Sequence, residues 1–194
     1  MELFLEQLMN GIRAGVVYAS VALALVLIFR TTGLLNFAQG EMALFSTYVT
    51  WKLISWDLVP VWVAIVFAVG ISFLGGAFIE RAVMRPVEQA SPLVLVIVTI
   101  GMFLAFNSLA QVIFGTDDKH VPRAYSNEIW DVGGVSVRAD TLVLVGVLVA
   151  ECVLLWLLLQ KTKIGLALRA VASNPESSRL VGVSVGSMLM LGWA

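Results

Sequence analysis

Charged residues are scarce in this sequence. Asp, Glu, Lys and Arg make up 13% of its 194 residues, about half of the roughly 25% typical of a soluble domain. The net charge is −1, which leaves no electrostatic basis for binding nucleic acid. Hydrophobic residues make up 60% of the chain, and the mean hydropathy is +0.96. This composition predicts an all-α, polytopic membrane protein with lipid among its partners.

Residues that bind metals or carry out catalysis are also rare. Cys152 is the only cysteine, so it cannot form an internal disulfide and is interpreted as a small buried hydrophobe. His120 is the only histidine, and Asp117 and Asp118 are the only other ligand types near it. An exposed loop histidine is therefore favoured over a metal site. We expect neither a metal nor a cofactor.

Short motifs that mark several enzyme classes are missing. The sequence has no Gly-x-x-x-x-Gly-Lys-Ser/Thr loop, no His-Glu-x-x-His, no paired-cysteine zinc spacing and no Gly-x-Ser-x-Gly. We therefore expect that the chain is not an enzyme and does not hold ATP on a phosphate-binding loop. A transporter without a nucleotide site needs either an ion gradient or a separate energised partner.

Long apolar runs predict a bundle of about five transmembrane helices in one domain, residues 1–194. About 20 apolar residues cross the hydrocarbon core. The last run, Val185–Ala194, is too short to cross, so we expect that the chain stops inside a sixth span and that a C-terminal part is missing. The five predicted spans are Leu8–Phe29, Gly33–Trp51, Val59–Ile79, Leu93–Phe114 and Thr141–Gln160.

Two connections between the spans carry their own signals. Glu80–Ser91 reads as a short polar loop, and its arginines are typical of the cytoplasmic side. Gly115–Asp140 reads as a long external loop, in which two β-prone runs around Gly133-Gly134 predict a short β-hairpin-like turn.

Polar residues within the spans are candidates for a translocation path. Asn36, Gln39 and Glu41 cluster at the start of the second span, where either a re-entrant segment facing the path or a surface loop capping the next helix fits the pattern. Asn107 lies on span four with Gln111 one turn away, so either contacts between helices or a pore lining is expected. Glu151, near the middle of span five, should face the bundle interior.

The longest polar stretch, Lys161–Gly186, predicts two short amphipathic helices joined at Ser173-Asn174. Asn174 is a good helix cap, Pro175 fits the first helical position, and the acid Glu176 favours the positive end of the helix dipole. Gly182 is expected to end the second helix. The pattern fits either an ordinary cytoplasmic loop or a docking surface for another protein.

Two blocks in this sequence resemble the LivH-type permeases of branched-chain amino-acid ABC importers. They are GLLNFAQGEMALFSTYV at Gly33–Val49 and RAVASNPESSRLVGV within the polar stretch. The resemblance implies ATP-binding cassette subunits, a second permease subunit and a periplasmic substrate-binding protein as partners, in the bacterial inner membrane. The residues expected to dock the ATPase are Gly165, Arg169, Ala170, Asn174, Pro175, Glu176, Arg179 and Gly182.

Other functions stay open at this point. Permeases for urea or short amides look similar, and the sequence does not separate their substrates from leucine. An ion-coupled secondary transporter would use Glu41 and Glu151 for protons or a cation. A membrane scaffold that transports nothing would use the polar residues only to bind neighbouring helices.

The distribution of basic residues predicts an orientation in the membrane. If Lys161–Val185 is cytoplasmic, alternation puts the N-terminus outside and Glu80–Ser91 inside. Seven Lys and Arg residues then lie inside and five outside, a small positive-inside bias. The inside set is Arg30, Arg81, Arg85, Lys161, Lys163, Arg169 and Arg179.

Overall fold

The chain folds into a bundle of helices with one pair of short strands. The computed structural model describes residues 2–56, 59–121, 129–132 and 135–193. In chain order the elements are α1 (Glu2–Thr32), α2 (Gln39–Ser55), α3 (Val61–Ile79), α4 (Pro92–Phe114), β1 (Ile129–Val132), β2 (Val135–Arg138), α5 (Ala139–Lys161), α6 (Lys163–Ser173), α7 (Pro175–Leu180) and α8 (Val185–Trp193).

Among the described residues, four helical stretches are long and apolar enough to cross a membrane: Leu3–Thr32, Val61–Val87, Pro92–Phe114 and Ala139–Lys161. They match four of the five predicted spans. The remaining one corresponds to α2, which has 17 residues and is therefore only about 25 Å long. It falls short of the roughly 30 Å hydrocarbon core. The count of about five spans stays a prediction.

The second predicted span begins six residues later than expected, at Gln39. Helix α1 continues through Arg30 to Thr32, and the Thr31 and Thr32 hydroxyls donate to the Ile28 carbonyl, at 3.0 and 2.8 Å. Gly33 then adopts φ +73°, a conformation that favours glycine and ends the helix. The chain stays irregular until α2 starts.

The connection Glu80–Ser91, expected as a polar loop, is largely helical. Helix α3 runs directly into a π-helical turn at Glu80–Met84 and a 3₁₀ turn at Arg85–Val87. Pro92 then opens α4, and the residue before it is extended, with ψ 151°, because a proline disfavours helical geometry in the preceding residue.

Strands β1 and β2 pair antiparallel, with Ile129 opposite Arg138 and Val132 opposite Val135. The predicted turn at Gly133-Gly134 lies outside the described residues, so the β-hairpin-like loop stays a prediction. Strand β2 ends at Arg138 and α5 begins at the next residue, Ala139. The strand pair therefore lies at the same end of the bundle as the beginning of α5.

The buried core lies toward the opposite end of the bundle. Its members come from the end of α1, the irregular segment before α2, the end of α3 and the π-helical turn after it, the first half of α4 and the end of α8. They are Ile28, Ala38, Ile79, Met84, Leu95, Met102 and Trp193. Elsewhere many large apolar side chains are exposed, as expected of helices that face lipid. The core therefore supports the end of the bundle that carries α6, α7 and α8.

Candidate functional site

Helices α6 and α7 are two short helices in the polar stretch, and each begins with a side-chain cap. The Thr162 hydroxyl caps α6 by accepting a hydrogen bond from the Gly165 N–H at 3.0 Å. The Asn174 side chain caps α7 by accepting from the Ser177 N–H at 2.9 Å, and Pro175 is the first residue of that helix. The prediction of two short helices joined at Ser173-Asn174 is confirmed.

Gly182 ends α7 in a Schellman turn. Its φ is +86°, its N–H donates to the Arg179 carbonyl at 3.1 Å, and the Val183 N–H donates to the Ser178 carbonyl at 3.0 Å. This pair of bonds satisfies carbonyl groups that the helix end would leave free. The predicted stop at Gly182 is confirmed, and the backbone conformation alone explains the glycine.

The predicted docking residues differ in how accessible they are. Gly165 is buried, and a Cβ at this position would clash with the Leu158 carbonyl oxygen of α5, so glycine permits the close approach of α6 to α5. Ala170 is half-buried. Arg169 is exposed but donates to the Gln160 side chain at 3.0 Å. The freely exposed members are Asn174, Pro175, Glu176, Arg179 and Gly182.

Two apolar residues at the tip of α7 also belong to this surface. Leu180, the last residue of α7, is 88% exposed, and Val181, which follows it, is 78% exposed. Sequence reasoning did not include them among the docking residues. The signal was available, since two large apolar residues stand side by side in an otherwise polar stretch.

Helix α7 is tied to the bundle by charge and by packing. Arg179 pairs with Glu88 at 3.7 Å, and this contact joins α7 to the connection between α3 and α4. Pro175 lines a cavity of about 350 Å³ whose other walls include Glu80, Arg85 and Trp193. Helix α7 therefore contacts the connection after α3 through Arg179 and faces a cavity that the end of α3 and α8 help to enclose.

The strongest polar contact in this region is a buried ion pair that sequence reasoning missed. Arg85 donates to both carboxylate oxygens of Glu80, at 3.1 and 2.9 Å, and to the Gly186 carbonyl at 3.1 Å. Glu80 is 2% exposed. In a π-helical turn the backbone bonds join residues five apart, which brings these two side chains to the same face. The Arg85 guanidinium thereby holds α8 against the end of α3.

Asn36, Gln39 and Glu41 lie at the start of α2, near the core end of the bundle. Asn36 is 1% exposed; its side-chain oxygen accepts from the Ala38 N–H at 3.0 Å, and its amide lies 3.4 Å from the Gln39 side-chain oxygen. One Glu41 carboxylate oxygen is shielded from solvent and has no hydrogen-bond partner among the described residues. The backbone before α2 is therefore irregular, with Asn36 and Ala38 buried and Leu35 and Phe37 exposed.

The two remaining candidates for the translocation path lie elsewhere. The Asn107 side chain accepts from Gln111 on the same helix at 2.7 Å, so the expected shared face of these two residues is confirmed. Glu151 is half-buried on α5, a helix that packs mainly against α1 and α6. The structure thus brings together Asn36 and Gln39, but not Asn107 or Glu151 with them.

The apolar helices and the helical surface at one end define a multi-pass membrane protein with an organised region beyond the bilayer. Comparison with known proteins identifies its family. The family described as "Branched-chain amino acid transport system / permease component" matches residues 7–194. The chain belongs to this family, which is a class of transport permeases in the inner membrane, and the resemblance to LivH-type permeases is confirmed.

Individual relatives agree with this assignment. The chain is 27% identical over 203 residues to the high-affinity branched-chain amino acid transport system permease protein LivH of Salmonella typhimurium, covering 97% of this chain and 65% of the relative. It is 24% identical over 200 residues to the permease protein BraD of Pseudomonas aeruginosa, with the same coverage. A probable LivH of Methanocaldococcus jannaschii is 29% identical over 182 residues, or 89% of this chain and 56% of that protein. No solved structure matches.

Proposed function

We propose that the chain is a membrane-spanning permease part of an ABC importer for branched-chain amino acids. Helices α6 and α7 would be the surface on which separate ATP-binding cassette subunits dock. The observation that carries this proposal is the build of α7: it is capped at both ends, exposed at its tip and tied to the bundle through Arg179 and Glu88.

The capped ends of α7 make it suited to transmitting force. A helix whose terminal N–H and carbonyl groups are satisfied does not fray when another protein pushes on it. Its tip presents Leu180 and Val181 to a partner, and burial of two such side chains stabilises a complex by about 3–6 kcal/mol before the entropic cost of association. Closure of two ATPase subunits would then move α6 and α7 as a rigid body.

The contact at Gly165 gives that movement a route into the membrane. Because α6 approaches the α5 backbone so closely there, α6 cannot shift toward α5 without displacing it. The Glu80–Arg85 pair gives a second route, through α8 and α3. Two such connections would couple the docking surface to spans on both sides of the bundle.

The irregular segment before α2 is the part of the translocation path that we favour. A break in a helix is tolerated at membrane depth only where protein or a cavity surrounds it, and Asn36 and Ala38 are both fully buried here. Glu41 and Gln39 would then face the substrate route, and Asn107 and Glu151 would line other parts of it. A second permease subunit would complete the path, and a periplasmic binding protein would deliver leucine, isoleucine or valine at the opposite end.

The docking proposal is tested by crosslinking. The prediction that Cys152 is buried is wrong, since this residue is exposed on α5. In a Cys152→Ala background, which removes the only cysteine of the sequence, Leu180→Cys is treated in membranes with a short thiol-to-amine crosslinker. We expect capture of an ATP-binding cassette subunit. Asp117→Cys serves as the matched control, because Asp117 is exposed at the opposite end of the bundle. Capture from Asp117→Cys, or no ATPase captured from Leu180→Cys, would contradict the proposal.

Transport assays separate this function from an ion-coupled transporter. Uptake of a radiolabelled branched-chain amino acid should require the ATPase subunits and survive collapse of the proton gradient. Uptake that persists without ATPase and fails with the gradient would favour proton coupling through Glu41 and Glu151. Competition by urea or short amides at equal concentration would point to the other substrate class.

A further inference from the structure

A second groove, separate from the cavity beside Pro175, lies between α1, α5 and α6. Its volume is about 490 Å³. The wall within the apolar part of the bundle is formed by residues such as Leu23, Leu27, Leu155 and Trp156. The wall on α1 runs from Leu23 to Arg30, a rise of about 10 Å along the helix. The groove is therefore long enough to hold the upper part of an acyl chain.

The rim of the groove is positively charged. Arg30 from α1 and Arg169 from α6 both line it, and no acidic residue does. Neither arginine takes part in an ion pair within the described ranges. Arg169 donates only to neutral oxygens, those of Gln160 and Gly165. Two uncompensated guanidinium groups thus stand at the mouth of an apolar slot.

A third cation lies beside the same rim. The Lys161 ammonium is 5.3 Å from the centre of the Trp156 ring, and Trp156 itself lines the groove. Tryptophan is enriched where the hydrocarbon core meets the headgroups. The charged rim therefore lies at headgroup level, with the apolar wall below it, as a bound phospholipid requires.

We propose that this groove binds an anionic phospholipid, with its phosphate between Arg30 and Arg169 and an acyl chain along α1 and α5. The charge of the rim selects an anionic occupant, and the apolar wall selects one with a hydrocarbon tail. Basic pockets between helices on the cytoplasmic side bind anionic headgroups by the same chemistry. Arg169 is also one of the proposed docking residues, so the lipid is tested on the chain without ATPase subunits, and the result does not depend on the transported substrate.

The test is native mass spectrometry of the purified chain in detergent, with phosphatidylglycerol and phosphatidylcholine added at equal concentration. We expect retention of one phosphatidylglycerol in preference to phosphatidylcholine. Each of Arg30→Gln and Arg169→Gln should weaken phosphatidylglycerol binding about fivefold, and the double variant about 30-fold, from about 1 kcal/mol per basic residue at a membrane surface. Arg81→Gln is the matched control, because Arg81 is exposed at the same end of the bundle but does not line the groove.

A steric variant tests the groove independently of charge. Ala172 lines the groove and is exposed, so Ala172→Trp should fill the slot and abolish retention of phosphatidylglycerol while both arginines remain. This variant carries the test if the double arginine variant does not fold, as judged by gel filtration.

Four results would overturn the proposal. The first two are equal retention of both lipids and unchanged phosphatidylglycerol binding in the double arginine variant. The third is a loss of phosphatidylglycerol binding in Arg81→Gln as large as in the groove variants. The fourth is displacement of the lipid by equimolar inorganic phosphate, which would show a site for a free anion. A protein occupant would also overturn it. It would be revealed if a photocrosslinker at Leu155 captured another polypeptide instead of lipid in native membranes.

Discussion

Removing Arg85 should destabilise the chain far more than removing any exposed arginine. In Arg85→Met the buried Glu80 carboxylate loses two charge-assisted hydrogen bonds, at 3.1 and 2.9 Å, and α8 loses the bond to the Gly186 carbonyl. Breaking a buried pair by removing one partner costs about 3–5 kcal/mol. The Arg85 side chain is 35% exposed, so water screens one side of the pair. We therefore expect a loss of about 2–4 kcal/mol.

The measurement is reversible unfolding of the purified chain in mixed micelles, followed by circular dichroism. The matched control is Arg179→Met. Its pair with Glu88 is longer, at 3.7 Å, and both side chains are substantially exposed, at 58% and 35%. Exposed pairs contribute about 0–1 kcal/mol. Equal losses in Arg85→Met and Arg179→Met would refute the reasoning that burial gives the Glu80–Arg85 pair its strength.

A double variant separates the pair from the two residues taken singly. In Glu80→Met/Arg85→Met no charge remains buried, and replacing a buried ion pair by apolar residues is often neutral. Only the bond to Gly186 is then lost, at about 1 kcal/mol. The double variant should therefore be more stable than Arg85→Met alone. A double variant as unstable as the sum of the two single variants would show that the side chains act independently.

Three further predictions follow from local geometry. Gly165→Ala should destabilise the chain by at least about 1–3 kcal/mol in the same unfolding assay, because the added Cβ would clash with the Leu158 carbonyl. The control is Gly146→Ala, which should be neutral or stabilising because nothing lies within 4 Å of its added Cβ. Asn174→Ala should lower the free energy of unfolding by about 1 kcal/mol through loss of the α7 cap. Glu41→Ala should depress amino-acid uptake while assembly, measured by co-purification of the partner subunits, stays intact; unchanged uptake would remove Glu41 from the path.

Elements whose signals are local could be predicted from the sequence. The predicted span Leu93–Phe114 differs from α4 by one residue at its start, and Thr141–Gln160 lies within α5. Both are predominantly apolar runs, interrupted by only a few polar residues such as Asn107 and Glu151, and the thickness of the bilayer sets their length. Helix α7 was predictable because its cap, its proline and its terminal glycine act on neighbouring backbone groups within a few residues.

Features that depend on distant contacts could not be predicted in the same way. Arg85 reads as an ordinary loop charge until the π-helical turn brings it onto Glu80, and its bond to Gly186 spans 101 positions. The start of α2 was misplaced because hydropathy does not register the backbone conformation of Gly33. Gly165 resembles a docking residue in the sequence, and only the path of α5 shows that close helix packing requires it.

Helix α5 joins the end of the bundle that carries α6 to the opposite end. None of the residues in its most apolar 18-residue window is buried, so lipid or another protein covers most of its length. Its two ends, in contrast, are held by specific contacts. Asp140 pairs with Arg13 at 3.4 Å and with Arg138 at 3.1 Å, and the other end abuts Gly165. A 23-residue helix is about 34 Å long. Because α5 is fixed to α1 and β2 at Asp140 and to α6 at Gly165, we expect a displacement of α6 to reach the ion pairs at Asp140 along this helix.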